Sequence, residues 1–233
     1  MKDPTRIPAV LEQLRATWEG QPDLELATLF GILGTGGIGW GTEDDELVAA
    51  LQRMRHLQPA KIGPTLTARY VLNTSAPEAR ITLDPFRIVV RRLLARGEHT
   101  QPGVWEYRSI ERCEVGAPLR ITDAGGIPHR LGVVTGIELV SEQPLRYAEG
   151  LTGLTRELID ARVLLIQVAG QRTVVLGRRV HIFTARGREL HQEKLAWQKL
   201  IQAEPGQPLL IAREGSTEVL DLGVVQHCFH LEG

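Results

Sequence analysis

Arginine is the residue type in this chain whose spacing is most suggestive of chemistry. Arg87, Arg91, Arg92, Arg96, Arg108 and Arg112 lie close together, with Trp105 and Tyr107 among them. Guanidinium groups track a phosphate backbone and aromatic rings stack bases, so this interleaving is a pattern for nucleic-acid binding. Arg172, Arg178, Arg179, Arg186 and Arg188 stand at roughly corresponding places later in the chain. The candidate nucleic-acid contacts are therefore Arg87, Arg91, Arg92, Arg96, Trp105, Arg178 and Arg179. Two features weigh against them. On a strand Arg91 and Arg92 point to opposite faces, and Glu98, Glu106, Glu111 and Glu114 dilute the positive charge.

Other chemistries have weaker support. Cys228 and His230 share a face of a strand and are both zinc-ligand types, with His227 beside them, but no second Cys/His pair has ligand spacing. Gly34-Thr35-Gly36-Gly37-Ile38-Gly39 matches the letters of a dinucleotide-binding loop. That loop works only between a strand and a helix whose N-terminus meets phosphate. Here a helical pattern precedes it, and Glu43, Asp44, Asp45 and Glu46 open the helix that follows, so a plain interhelical loop is expected, with Trp40 in the core. Those four acids diverge by about 100° per residue around a helix and do not converge on a metal. No Gly-x-Ser-x-Gly is present and neither cysteine has a catalytic signature. The expectation is no catalytic residue, no cofactor and no metal.

An internal repeat organises the elements that position these residues. Ala95-Arg96-Gly97 recurs ninety positions on as Ala185-Arg186-Gly187. At the same offset Gly116-Ala117-Pro118-Leu119-Arg120-Ile121 recurs as Gly206-Gln207-Pro208-Leu209-Leu210-Ile211. After a one-residue slip, Leu131-Gly132-Val133-Val134 returns as Leu222-Gly223-Val224-Val225. Short β-branched segments predict strands at 66–73, 80–83 and 86–94, and again at 162–168, 173–176 and 180–184. A helix then follows in each copy, its face marked by Leu190, Lys194, Trp197, Leu200 and Ile201 in the second and by Val104, Tyr107 and Ile110 in the first. Strands at 118–122 with 130–140, and 209–213 with 219–230, close the units. Each unit reads βββαββ, a small sheet or partly closed barrel with one helix, and residues 149–161 are expected to form a connecting helix. Gly116, Gly206, Gly132 and Gly223 mark tight backbone positions that need φ > 0.

Ahead of the repeat, Ile7, Val10, Leu11, Leu14 and Trp18 fall at helical spacing. Asp23 is positioned to cap a second helix with face Leu26, Leu29, Phe30 and Leu33. Thr42 caps a third presenting Leu47, Val48, Leu51 and Met54. Residues 6–51 contain Trp18, Pro22-Asp23-Leu24-Glu25-Leu26 and Asp44-Asp45-Glu46-Leu47. In this they resemble a family of short, uncharacterised bacterial proteins with a Trp…Pro-Asp-Leu-x-Leu…Asp-Asp-Glu-Leu pattern. The resemblance implies a helical module and no particular activity.

The chain thus reads as α+β: a three-helix module at 1–57, then β-rich repeat units at 65–146 and 155–233. The 42% hydrophobic and 24% charged content is ordinary for a globular protein. Two cysteines make no disulfide framework, and the sequence shows no signal peptide or apolar span, so a cytoplasmic protein without membrane contact is expected. Residues 1–57 carry five basic and nine acidic side chains, leaving 22 basic and 19 acidic in the rest. An acidic head on a mildly basic body suits intramolecular docking, and the body is less basic than a typical nucleic-acid-binding domain. The expected function is a non-catalytic binding or interaction protein that meets a protein partner on the surface between the repeats. Nucleic-acid binding through the arginine strands is the first alternative and an enzyme of unknown class the second.

Overall fold

A computed structural model describes residues 3–93, 100–187 and 189–233. Among these residues there are three helices and fourteen strands, all paired antiparallel. The helices α1 (Arg6–Glu19), α2 (Leu26–Thr35) and α3 (Asp44–Leu57) fall where the apolar periodicity places them. Leu33, Ala50 and Leu51 are buried between them, with Leu14, Ile38, Leu47 and Met54 packed alongside, and Leu29 of α2 is fully buried. Thr17 is fully buried, and its hydroxyl donates to the carbonyls of Gln13 (2.8 Å) and Leu51 (3.1 Å). The caps differ from expectation. Glu25 and Glu43 occupy the N-cap positions without a capping side-chain hydrogen bond. Thr42 instead uses its hydroxyl to accept the Gly39 N–H at 2.9 Å, closing the glycine loop. Asp44, Asp45 and Glu46 fill the first turn of α3 and Arg55 and His56 its last, which complements the helix dipole.

The first sheet contains β1 (Arg69–Ser75), β2 (Ala79–Leu83), β3 (Ile88–Arg92), β4 (Gly103–Trp105), β5 (Tyr107–Arg112), β6 (Pro118–Asp123) and β7 (Pro128–Ser141), in the order β4-β3-β2-β1-β7-β6-β5. The second contains β8 (Val163–Val168), β9 (Arg172–Leu176), β10 (Val180–Arg186), β11 (Glu189–Leu195), β12 (Trp197–Gln202), β13 (Pro208–Arg213) and β14 (Val219–Glu232), in the equivalent order β11-β10-β9-β8-β14-β13-β12. In each sheet the two edge strands are consecutive in the chain. Only Glu106 separates β4 from β5, and only Ala196 separates β11 from β12. Two residue steps span about 7 Å at most, so each sheet must curl until its edges nearly meet. An aromatic at the start of the last meander ties each curl to the opposite side. Tyr107 donates its hydroxyl to the Asp84 carbonyl at 2.8 Å, and Trp197 donates its indole N–H to the Gly177 carbonyl at 2.8 Å.

Each curl encloses its own apolar core. Leu72, Ile81, Leu83, Ile88, Leu119, Ile121 and Val134 are central in the first, and Leu164, Ile166, Val174, Leu176, Trp197, Leu209 and Ile211 in the second. The helices and the first sheet make one compact unit, in which α3 packs against β7; the second sheet makes another. Residues of the proline-containing segment after α3 join the first sheet, the Ile62 N–H donating to the Cys113 carbonyl and the Val115 N–H to that of Ala60.

The helix expected within each unit is replaced by strand. Leu190 and Lys194 lie on β11, Trp197, Leu200 and Ile201 on β12, and Tyr107 and Ile110 on β5. The cause is a pair of register slips, at Trp197/Lys199 and Leu200/Gln202, matched ninety residues earlier at Tyr107/Ser109 and Ile110/Arg112. A bulge sets two residues against one, so inward positions such as Trp197 and Leu200 fall three apart and imitate a helical stripe. Each unit is therefore seven-stranded. Residues 149–161 form turns in place of a helix, with Gly150, Gly153 and Asp160 at positive φ. The repeated glycines behave as expected. Gly116 and Gly206 sit at φ 79° and 80°, Gly132 and Gly223 at 89° and 100°.

Candidate binding surfaces

The arginines of the sequence pattern are dispersed. Arg87 and Arg91 are buried, at 5% and 7% exposure, and present no guanidinium at the surface. Arg87 closes the turn before β3, and β3 itself, which carries Arg91, is buried on both faces, as Ile88, Val89 and Val90 show, so alternation does not separate an outer from an inner side. Arg92 is exposed. Arg96 and Arg188 lie outside the described residues. Arg178 and Arg179 are exposed in the turn between β9 and β10 of the second unit. There they line an open cavity of about 440 Å³ with Arg156, Glu157 and Asp160, and Arg156 is ion-paired with Glu214.

Trp105 is half-buried against the first core, and its ring stacks on His129 at 4.9 Å and 14°. His129 Nε2 is 2.9 Å from Asp123 Oδ2, while Asp123 Oδ1 accepts the Ile127 N–H at 2.9 Å. The bond to His129, followed by that from Ile127, holds the Asp123 carboxyl below its ordinary range. These contacts anchor the β6–β7 turn and use Trp105 as packing.

Cys113 and Cys228 are buried free thiols, each pushed up to about 12, by burial alone at Cys113 and by burial plus the Glu204 charge at Cys228. A thiol that remains protonated is neither nucleophile nor ligand. Beside Cys228, His227 stacks with Tyr147 at 5.2 Å. Among the described residues no group of three His, Cys, Asp or Glu side chains is arranged to hold a metal.

A surface that the sequence reading missed lies on the helical head. Trp40 is fully exposed rather than in the core, and Phe30 and Ile32 are 48% and 41% exposed on either side of the buried Leu29–Leu33 stripe. The outer face of α2 consists of Ala27, Thr28, Gly31, Gly34 and Thr35, all exposed. A Cβ added at Gly31 or Gly34 would meet nothing within 4 Å, so packing in this chain does not demand either glycine. The available signal was the absence of any charged residue from 26 to 42, a run longer than one helix needs to cover a three-helix core. No helix among the described residues is long and apolar enough to cross a membrane. No family model, no curated protein and no solved structure matches this chain.

Proposed function

We propose that this chain is a non-catalytic interaction protein, and that α2 with Trp40 receives an amphipathic helix from a partner protein. The observation that carries the reading is the uncharged, exposed face of α2. Gly31 in the interior of α2 costs about 1 kcal/mol relative to alanine, and nothing among the described residues fills the space that Gly31 and Gly34 leave. A face of small residues flanked by Phe30 and Ile32 lets another helix approach closely, with large anchors on both sides. Exposed apolar surface of this kind marks interaction sites in otherwise ordinary proteins.

Charge selects the partner. Asp23 and Glu25 precede α2, and Glu43, Asp45 and Glu46 follow its loop, all exposed. A second copy of the chain laid on this face would set acids against acids. A helix with an apolar stripe and lysine or arginine flanks complements it.

The test is calorimetric titration of the full chain with an 18-residue Leu/Lys amphipathic peptide and with a Leu/Glu peptide of the same pattern. Saturable binding of the first, weakened at least tenfold by Gly31→Arg/Gly34→Arg with an unchanged melting temperature, is expected. Equal binding of both peptides, or of the variant, refutes the assignment. Concentration-dependent dimerisation abolished by the same variant would assign the face to self-association instead.

A further inference from the structure

We infer that the outer face of the first sheet carries a phosphate-binding site formed by Arg120 and Arg130. The two are direct Cα partners across β6 and β7, and Arg112 on β5 is the partner of Arg120 on its other side. Partners in an antiparallel sheet share a face, and Arg120 lies between the fully buried Leu119 and Ile121, so this row points outward. Arg112 is ion-paired with Glu114 at 3.2 Å. Arg120 and Arg130 are exposed, and among the described residues neither has a side-chain hydrogen bond or ion pair. They line an open cavity of about 460 Å³ together with Glu111, Thr122, Pro128 and His129. Glu111 accepts the Ser109 hydroxyl at 2.8 Å and pairs with neither arginine.

Like charges directly opposite one another on neighbouring strands destabilise a sheet. The second repeat shows that the fold does not require them. Its equivalent register positions hold Gln202, Leu210 and Asp221, with Leu210 opposite both Gln202 and Asp221. The same bulged sheet is thus built with no positive charge in this row. What the first copy gains from Arg120 and Arg130 is a pair of planar donor forks carried on neighbouring strands about 5 Å apart. A phosphate between them accepts from both and removes their repulsion. The cavity is larger than inorganic phosphate, which fits a phosphate that belongs to a bigger molecule, either a nucleotide-sized ligand or a nucleic-acid backbone.

The experiment titrates the full chain at low salt with pyrophosphate and with a labelled single-stranded oligonucleotide, and repeats the titrations at physiological salt. Arg120→Leu/Arg130→Asp installs the second copy's residues. Arg178→Leu/Arg179→Asp removes the same charge from the second unit. Expected is binding that falls steeply with salt, at least tenfold weaker in the first variant and within twofold of wild type in the second. Tighter binding of the oligonucleotide than of pyrophosphate identifies a nucleic-acid backbone as the source, and the reverse identifies a small phosphate. Absence of binding to both probes at low salt, or equal loss in the two variants, overturns the site. Should the first variant fail to fold, Arg120→Gln carries the same expectation.

Discussion

Arg69 and Asp84 form a buried ion pair, Nε to Oδ2 3.5 Å, where the second sheet has Val163 and Gly177. The equivalence follows from register, since Tyr70 faces Leu83 as Leu164 faces Leu176. It also follows from contact, because a Cβ on Gly177 would lie 3.8 Å from Val163. Both charges are present in one copy and both are absent from the other. Asp84 has further work, its Oδ1 accepting the N–H groups of Phe86 (2.8 Å) and Arg87 (3.0 Å) and so shaping a turn one residue longer than its counterpart.

Removing one partner leaves a buried charge. Arg69→Val is expected to destabilise by about 3–5 kcal/mol. The double substitution Arg69→Val/Asp84→Gly, which installs the second copy's pair, should cost only about 1–3 kcal/mol, from the lost turn hydrogen bonds. Urea unfolding of the singles and the double measures this. A double variant as unstable as the sum of the singles would show that the two groups do not act as a pair.

Gly132 and Gly116 separate two reasons for glycine. Both have positive φ, but a Cβ on Gly132 would fall 2.7 Å from the Ser75 carbonyl oxygen and 2.9 Å from that of Pro77, while one on Gly116 would meet nothing within 4 Å. Gly116→Ala should cost about 1 kcal/mol, the left-handed backbone penalty alone. Gly132→Ala should cost at least twice that, because the carbonyls of Ser75 and Pro77, at the β1–β2 turn, must move. Comparable melting temperatures for the two variants would contradict this geometry.

The thiols should be silent in the folded protein. With Cys113 and Cys228 both pushed up to about 12, a disulfide-exchange reagent at pH 8 should label neither until the chain unfolds, and then both. Labelling rates that track urea concentration through the unfolding transition are expected. Rapid labelling of either cysteine in native buffer would refute its burial.

Asp123 sets part of the acid limb of stability. Its carboxyl is held low chiefly by His129, so its contribution is fully present above the unfolded carboxylate value of about 3.9. That contribution is lost as pH falls through the lower folded value. Asp123→Asn should flatten the decline of melting temperature in that acid window while lowering stability at neutral pH. An unchanged acid limb would assign the effect to other carboxylates.

The sequence by itself determined the three helices, the strands that open and close each unit, and the duplication. Each of those is a local pattern, a period of 3.6, a β-branched run or a recurring string, and short-range backbone physics reads it directly. It also determined the glycine conformations, because an offset of ninety residues pairs Gly116 with Gly206 in one backbone role. The tertiary structure decided the rest. Inward residues three apart, as at Trp197 and Leu200, describe a helix or a bulged strand equally well, and only the pairing with β13 selects the strand. Burial of Arg87 and Arg91 and exposure of Trp40 depend on what packs over each position, which residue type does not encode. Arg120 and Arg130 were not among the residues that the sequence pattern singled out, and they became a candidate site only once β6 and β7 were in register and the second sheet showed Leu210 and Asp221 in the same places. Chemistry between side chains ten residues apart depends on strand pairing, and pairing is a property of the whole sheet.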